Sequence, residues 1–351
     1  MNILYLYVEL TPSVIAVMKY LASNYNASIH VLYWEKGGNT PYKPPIIDNV
    51  FFYPSKTWTS DKIFKLVSSL SVNLCYVTAW QDKRYLVTAR SLAAKGIPVI
   101  AGFDDVWDGT LRQYIGSTLV SLIGHNFFSH AMVSGPRQYE YARRFGFKHE
   151  QILYYLFSGD TDRFENLSKI TSLSSSISHR KFIFVGQLIT RKGVDTLCSA
   201  YQIYRKKYKG LWKLACLGDG PLRNFLEEQD DIEIYGYVNH EEMTRFIAEA
   251  GAFILPSIRD VSPLVVHEFA SVGLPLVLSK SIGNRHLFLI DGFNGFSFES
   301  GVPENLANAM SRVSSLSGEQ LKNMGENSKA LASQHQARFV AASLMSVIAK
   351  T

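Results

Sequence analysis

The chain has 351 residues, 47% of them apolar and 19% charged, with a formal net charge of +6 and a pI near 9.0. This balance excludes a disordered or fibrous chain, implies two domains rather than one core, and favours an anionic partner: a nucleotide, a phospholipid surface or a nucleic acid. Three cysteines, Cys75, Cys198 and Cys216, are scattered in apolar runs, which predicts buried thiols in a reducing compartment rather than a disulfide framework or a metal site. The N-terminal MNILYLYVELTPSVIAVMKYL lacks a basic leader, and Glu9 and Pro12 interrupt it, so it reads as strand, turn and helix rather than signal peptide. No apolar run reaches the roughly 20 residues that span a bilayer. The expected location is cytoplasmic, with membrane contact only at the protein's surface, on the inner face of the cell membrane.

Short apolar runs alternate with helical patterns throughout, which predicts an α/β chain with parallel sheets. In the first half the strand candidates are 3–8, 28–33, 74–78, 99–103 and 130–133, and the helix candidates 12–24, 62–70, 83–95 and 137–145. The stretch 112–130, RQYIGSTLVSLIGHNFFSH, is apolar enough for a core helix. Its alternative is a helix lying at a membrane interface, with Arg137, Arg143, Arg144 and Lys148 as a basic cluster nearby. His125 and His130 flank Phe127-Phe128 and read as structural. The serine-rich 167–179, LSKITSLSSSISH, has no clear period and reads as a linker. After it the strand–helix rhythm restarts and runs to a largely helical end, 303–348. The expected domains are 1–166, a linker at 167–180, then 181–335, with 336–351 as a C-terminal helix returning to the first domain. Two doubly wound, Rossmann-like domains would face an interdomain cleft, with the chemistry on loops that follow strands.

The densest signal is Pro256 to Pro275, PSIRDVSPLVVHEFASVGLP, in which Asp260 and Glu268 stand eight residues apart around a helix start at Ser262-Pro263. A helix start offers unpaired N–H groups to phosphate. An acid just before it can accept hydrogen bonds from hydroxyls, and an acid about one turn inside can reach a ribose. Upstream, VGQLITRKG leaves a strand and opens a helix. Gly186 allows close approach, and Lys192 adds a full charge to the helix dipole, which suits a diphosphate; a βα loop with solvated basic residues is the bland alternative. Leu217-Gly218-Asp219-Gly220-Pro221 and Tyr235-Gly236-Tyr237-Val238 end two further strands, either as contacts to a flat base or as plain turns. Phe293-Asn294-Gly295-Phe296 is a turn signal.

In this order the pieces VGQLITRKGVDTL, LGDGPLR, YGYV, LPSIRDVSPLVVHEFASVGLPLV and DGFNGFSF resemble the second domain of group 1 (family four) glycosyltransferases of the GT-B fold, over about 182–298. The first half resembles, more weakly, the acceptor domain of members that build bacterial surface polysaccharides such as O-antigen, capsule or lipopolysaccharide. The resemblance implies a retaining, metal-independent hexosyltransferase without a cofactor. Its donor would be a nucleotide diphosphate sugar and its acceptor a hydroxyl on a glycan or polyprenyl-linked molecule. An anionic membrane surface is the further partner considered, and no nucleic acid. Lys192 and Arg191 would bind the diphosphate and Glu268 the ribose, while Asp260 holds the sugar hydroxyls. The amides of Leu264 and Val265 would meet phosphate, and Gly186, Gln187, Asp219 and Tyr237 complete the donor side.

This chain departs from the family pattern at three places. Asp260 stands where Glu is usual, Gln187 where Arg is usual, and Leu10-Thr11-Pro12-Ser13 where many relatives carry a glycine-rich loop. A His-Asp pair common after the fourth strand aligns with Asp104 and Asp105. Adjacent carboxylates raise one pKa by repulsion and make a proton shuttle; the alternative is a loop acid capping the next helix. Trp80, Asp82 and Lys83 are candidate acceptor contacts or surface residues. Two other readings of the whole chain remain: a sugar-nucleotide epimerase of the same fold, and a catalytically silent sugar-nucleotide or glycan-binding partner.

Overall fold

A computed structural model describes residues 1–35, 43–78, 80–159, 164, 180–229, 231–238 and 242–348. The expected linker, 167–180, lies outside the described residues apart from Arg180. The chain divides into two compact units, Met1–Gly159 with His335–Thr351, and Asp160–Gln334.

In the first unit the described strands are β1 (Asn2–Tyr7), β2 (Ser28–Tyr33), β3 (Val50–Pro54), β4 (Val72–Val77), β5 (Val99–Phe103), β6 (His130–Val133) and β7 (Ile152–Leu153). The helices among them are α1 (Pro12–Tyr25), α2 (Ser60–Ser69), α3 (Lys83–Ala94), α4 (Leu111–Ile123) and α5 (Pro136–Arg144). The strands pair in parallel in the order β3-β2-β1-β4-β5-β6-β7. Strand β1 is buried on both faces: Ile3 and Tyr5 join one core cluster, Leu4 and Leu6 the other. That two-sided burial explains its continuous apolar run. Helix starts follow local chemistry. The Thr11 hydroxyl accepts from the Val14 amide at the head of α1, with Pro12 in its first turn, and Thr110 and Gln113 form a capping box on α4.

The second unit has strands β8 (Lys181–Val185), β9 (Lys213–Leu217), β10 (Ile232–Ile234), β11 (Ala250–Leu255), β12 (Leu276–Ser279) and β13 (Gly295–Phe298). Between and after them run α6 (Val194–Lys207), α7 (Arg223–Glu227), α8 (Met243–Glu249), α9 (Leu264–Val272), α10 (Arg285–Phe288), α11 (Pro303–Ser314) and α12 (Gly318–Ala332). Its parallel order is β10-β9-β8-β11-β12-β13. The Asn-Gly turn at 294–295 opens β13, and the buried Asn294 amide bridges the Phe288 carbonyl (2.8 Å) and the Ser328 hydroxyl (3.0 Å). The last helix, α13 (Ala337–Ile348), is part of the first unit. Val340, Ala341, Leu344 and Val347 enter the same core cluster as α1, and the Ser343 hydroxyl donates to the Tyr154 carbonyl at 2.9 Å.

Cys75, Cys198 and Cys216 are buried free thiols, as their apolar settings predict. The core-helix expectation for 112–130 is corrected over α4. The helix turns Leu111, Tyr114, Ile115, Leu119 and Leu122 outward and buries Ser117 instead, while Phe128, after the helix, is buried. The shape of the site it packs on explains the inversion. The carboxamide of Gln113 bonds back to the Val106 carbonyl (2.8 Å) and the Asp108 amide (2.8 Å), which fixes a small, polar face against the unit.

Candidate active site

The strand order of the second sheet reverses between β8 and β11, and ligands of open parallel sheets sit beyond the C-terminal strand ends at such a point. Strand β8 leads into 186–193 and β11 into 256–260, so the topology alone brings these two loops side by side. Their contact is tight. Gly193 has φ 72°, and a Cβ there would lie 2.1 Å from the Pro256 carbonyl oxygen, so only glycine fits. The Ile258 amide donates to the Arg191 carbonyl (2.9 Å), and the Arg191 guanidinium donates to the Arg259 carbonyl (3.2 Å). The outcome is an ion pair between two sequence-predicted residues. Lys192 Nζ lies 2.5 Å from Asp260 Oδ2, and the two side chains are only 14% and 11% exposed. The Ser257 hydroxyl donates to the same oxygen at 3.3 Å, and Arg191 Nη1 stands 3.8 Å from Asp260 Oδ1. The Asp260 carbonyl accepts from the Gly283 amide (2.8 Å), which pins the loop from behind.

Helix α9 begins directly after this loop, with Pro263 at its N-cap and no side chain capping it. The amides of Leu264 and Val265 belong to the first turn, which has no intrahelical acceptors, and the dipole adds a partial positive charge there. Glu268 follows four residues after Leu264, on the same helix face, and is half-buried. Its neighbour His267 has a different role: its Nε2 is 3.0 Å from the Ala332 carbonyl, and its ring stacks on Phe288, inside the core. Asn284 donates to the Pro263 carbonyl (3.1 Å), while its own buried Oδ1 has no partner among the described residues. Sequence reasoning missed Asn284, which stands in no recognisable motif and is revealed only by the tertiary contact of 279–284 with the β11 loop, and it passed over Ser257 within the Pro256–Pro275 segment, where a serine three residues before an acid carries no signal of its own.

The loops after β9 and β10 close the neighbouring edge. Gly218 donates to the Gly236 carbonyl at 2.6 Å, and a Cβ on it would lie 1.9 Å from the Gly186 carbonyl oxygen. Three loops therefore meet backbone to backbone, and Gly218 is fixed between Gly186 and Gly236. Gln187 and Tyr237 are exposed. Asp219 is also exposed, but its Oδ1 accepts from the Gly220 amide (2.8 Å), so part of its hydrogen-bonding capacity serves the turn.

In the first unit, Asp104 and Asp105 follow β5. The Asp104 carboxyl reaches solvent yet sits among enough protein that burial lifts its pKa above the usual carboxylate range, with the charge of Asp105 adding to the lift. The expected cause was repulsion; burial is the larger one. Asp105 Oδ1 accepts from the Val106 amide at 2.9 Å. Asp82 has a structural task. It caps α3, pairs with Arg84 at 2.6 Å and accepts from Trp34 Nε1 at 3.0 Å. Burial works to raise its pKa, but these hydrogen bonds override it and hold the carboxyl low. Trp80 packs on Phe103, Phe128 and Phe145, whereas Lys83 opens α3 in solvent.

Residues 172–331 match the family model described as Glycosyl transferases group 1. Among curated relatives, TuaC of Bacillus subtilis, named as a teichuronic acid biosynthesis glycosyltransferase, is 26% identical over 132 residues, 38% of this chain and 32% of that protein. The amylovoran biosynthesis glycosyltransferase AmsK of Erwinia amylovora is 26% identical over 147 residues, 38% of this chain and 36% of that protein. The chain thus matches about a third of the length of each. Among solved structures, Anabaena HepE, crystallised with UDP and glucose, aligns over 100% of both chains with a TM-score of 0.72 and 16% identity. Residues 172–331, just under half of the chain, are thus similar to the glycosyl transferases group 1 model, and the two parallel sheets flanked by helices, with the alignment to HepE, give the chain the GT-B fold.

Proposed function

We propose that the protein transfers a hexose-like sugar from a nucleoside diphosphate to a hydroxyl of a glycan or polyprenyl-linked acceptor, in the assembly of a bacterial surface polysaccharide. The observation that carries this reading is the Lys192–Asp260 pair, set at the switch point beside the uncapped start of α9. An ammonium has three donors, so Lys192 can keep Asp260 on one and offer the others to a diphosphate. Arg191 and the amides of Leu264 and Val265 add positive potential on the same side, where charge develops as the sugar C1–oxygen bond breaks. Here they do the work a divalent ion does elsewhere, so activity should survive EDTA. Asp260 Oδ1 and Asn284 Oδ1 are acceptors suited to sugar hydroxyls, and Glu268, one turn into the helix, is suited to a ribose. The loops with Gly186, Gln187, Asp219 and Tyr237 form the base side.

The acceptor oxygen bonds to C1 with retained configuration, and its proton passes to a base. Asp104, with its raised pKa, is the carboxylate we assign to that exchange, with Asp105 beside it; Trp80 and Lys83 remain acceptor-side candidates, whereas Asp82 is occupied as a cap. HepE was solved with UDP and glucose, which makes UDP-sugars the first donors to try. A thermal-shift panel of nucleotide sugars should show stabilisation by one donor that is lost in Lys192→Ala. In a transfer assay Lys192→Ala and Glu268→Ala should each lower kcat by about 10²–10³. No shift by any donor, or near-normal turnover in both variants, would sink the assignment. Release of an epimerised sugar nucleotide without acceptor would replace it with an epimerase, and binding without transfer or hydrolysis with a silent partner.

A further inference from the structure

Helix α4 is amphipathic in the wrong sense for a soluble unit. At 100° per residue, Tyr114, Leu111, Leu122, Ile115 and Leu119 fall on one arc, and they are 54%, 76%, 66%, 56% and 55% exposed. The opposite arc carries Gln113, Ser117 and Gly124, of which Ser117 and Gly124 are buried. A contiguous stripe of five large apolar side chains in water marks an interaction surface, since scattered single residues would not line up at helical spacing.

Its surroundings indicate the partner. No acid occurs between 109 and 139. Arg112 borders the stripe on α4 itself. The turn after α5 runs along the helix, with Gly146 so close to Ser121 that a Cβ would lie 3.1 Å from its Cα. The last turn of α5 carries the exposed Arg143 and Arg144, and the turn after it the exposed Lys148. Arg144 stacks on Trp107 at 4.7 Å, and Trp107 packs edge-on against Tyr114 at 4.9 Å, so cation, indole and phenol stand together at one end of the stripe. The nearby acids are Asp105, Asp108 and Glu140, and Glu140 is paired with Arg144 at 2.9 Å. An apolar stripe edged by cations and interfacial aromatics matches the boundary between acyl chains and phosphate headgroups.

We propose that this face docks on an anionic lipid bilayer, with α4 lying in the interface plane. The full chain should co-sediment with vesicles containing phosphatidylglycerol, less so as salt rises, and weakly with pure phosphatidylcholine. The double variant Ile115→Ser with Leu122→Ser should lose at least about tenfold in partitioning. Both side chains already face water, so its circular dichroism and thermal midpoint should match the parent. Vesicle binding is read without donor or acceptor, so it stands or falls independently of glycosyl transfer. Absence of sedimentation, or equal sedimentation with neutral vesicles, would overturn the proposal. So would a concentration-dependent dimer that the same double variant abolishes, which would make the stripe a contact between copies of this chain.

Discussion

At the scale of single residues, the site rests on a few positions where sequence and geometry admit one solution. Gly193→Ala should destabilise the second unit by about 2–4 kcal/mol, since it meets both a positive φ and the Pro256 carbonyl; denaturant melts would measure it. Asp260→Asn leaves Lys192 without its counter-charge at a largely buried position, so it should weaken both folding and donor binding. For Asp104 the sign is worked from linkage. Its folded pKa is raised, so the folded state holds the proton to higher pH than the unfolded one. Stability is therefore greater at low pH and falls as pH climbs from the ordinary aspartate value through the raised, folded one. Asp104→Asn should flatten that fall and leave the protein at least as stable near neutrality, while lowering transfer if the carboxylate moves the proton. Parallel pH melts and pH–rate profiles separate the two effects. Asp260 and Glu268 stood out by spacing, because a helix start and two flanking acids lie within one short segment, whereas Lys192 was singled out by the family resemblance. That Lys192 and Asp260 touch was not legible, since 68 residues separate them in the chain.

At the scale of elements, the parallel strands announced themselves as short apolar runs, and most helices by their period and end signals. The elements that escaped were β3, β7, the single-turn α10 and β13. Strand β3 is an edge strand with only Val50 buried, β7 is two residues long, and β13 looked like the turn that opens it. Helix α4 was legible as apolar but not as exposed, because hydrophobicity carries no direction until a packing face is known. Asn294 shows how an apparent turn residue serves a core. Asn294→Ala should cost about 1–3 kcal/mol, since it leaves the Phe288 carbonyl and Ser328 hydroxyl short of a donor. Calorimetry on the second unit's transition would register it.

At the scale of the whole molecule, two units of one architecture carry different surfaces, and the chain visits the first one twice. Removing α13 takes Val340, Ala341, Leu344 and Val347 out of the core cluster of the first unit. At about 1.5–3 kcal/mol for each large side chain, truncation after Gln334 should unfold that unit or lower its transition strongly, while the transition of 160–334 persists. A single unshifted transition would contradict this assignment. The sequence by itself determined the α/β class, the parallel sheets, the motif order that the group 1 model matches over 172–331 and the residue types of the candidate site. Those follow from local periodicity, helix-start chemistry and motif order. Tertiary structure decided which charges pair, that Asp82 is a cap, that burial lifts Asp104, and that α4 faces outward. Each of these depends on what lies across a gap of many residues, where desolvation and packing act on groups the local sequence cannot bring together.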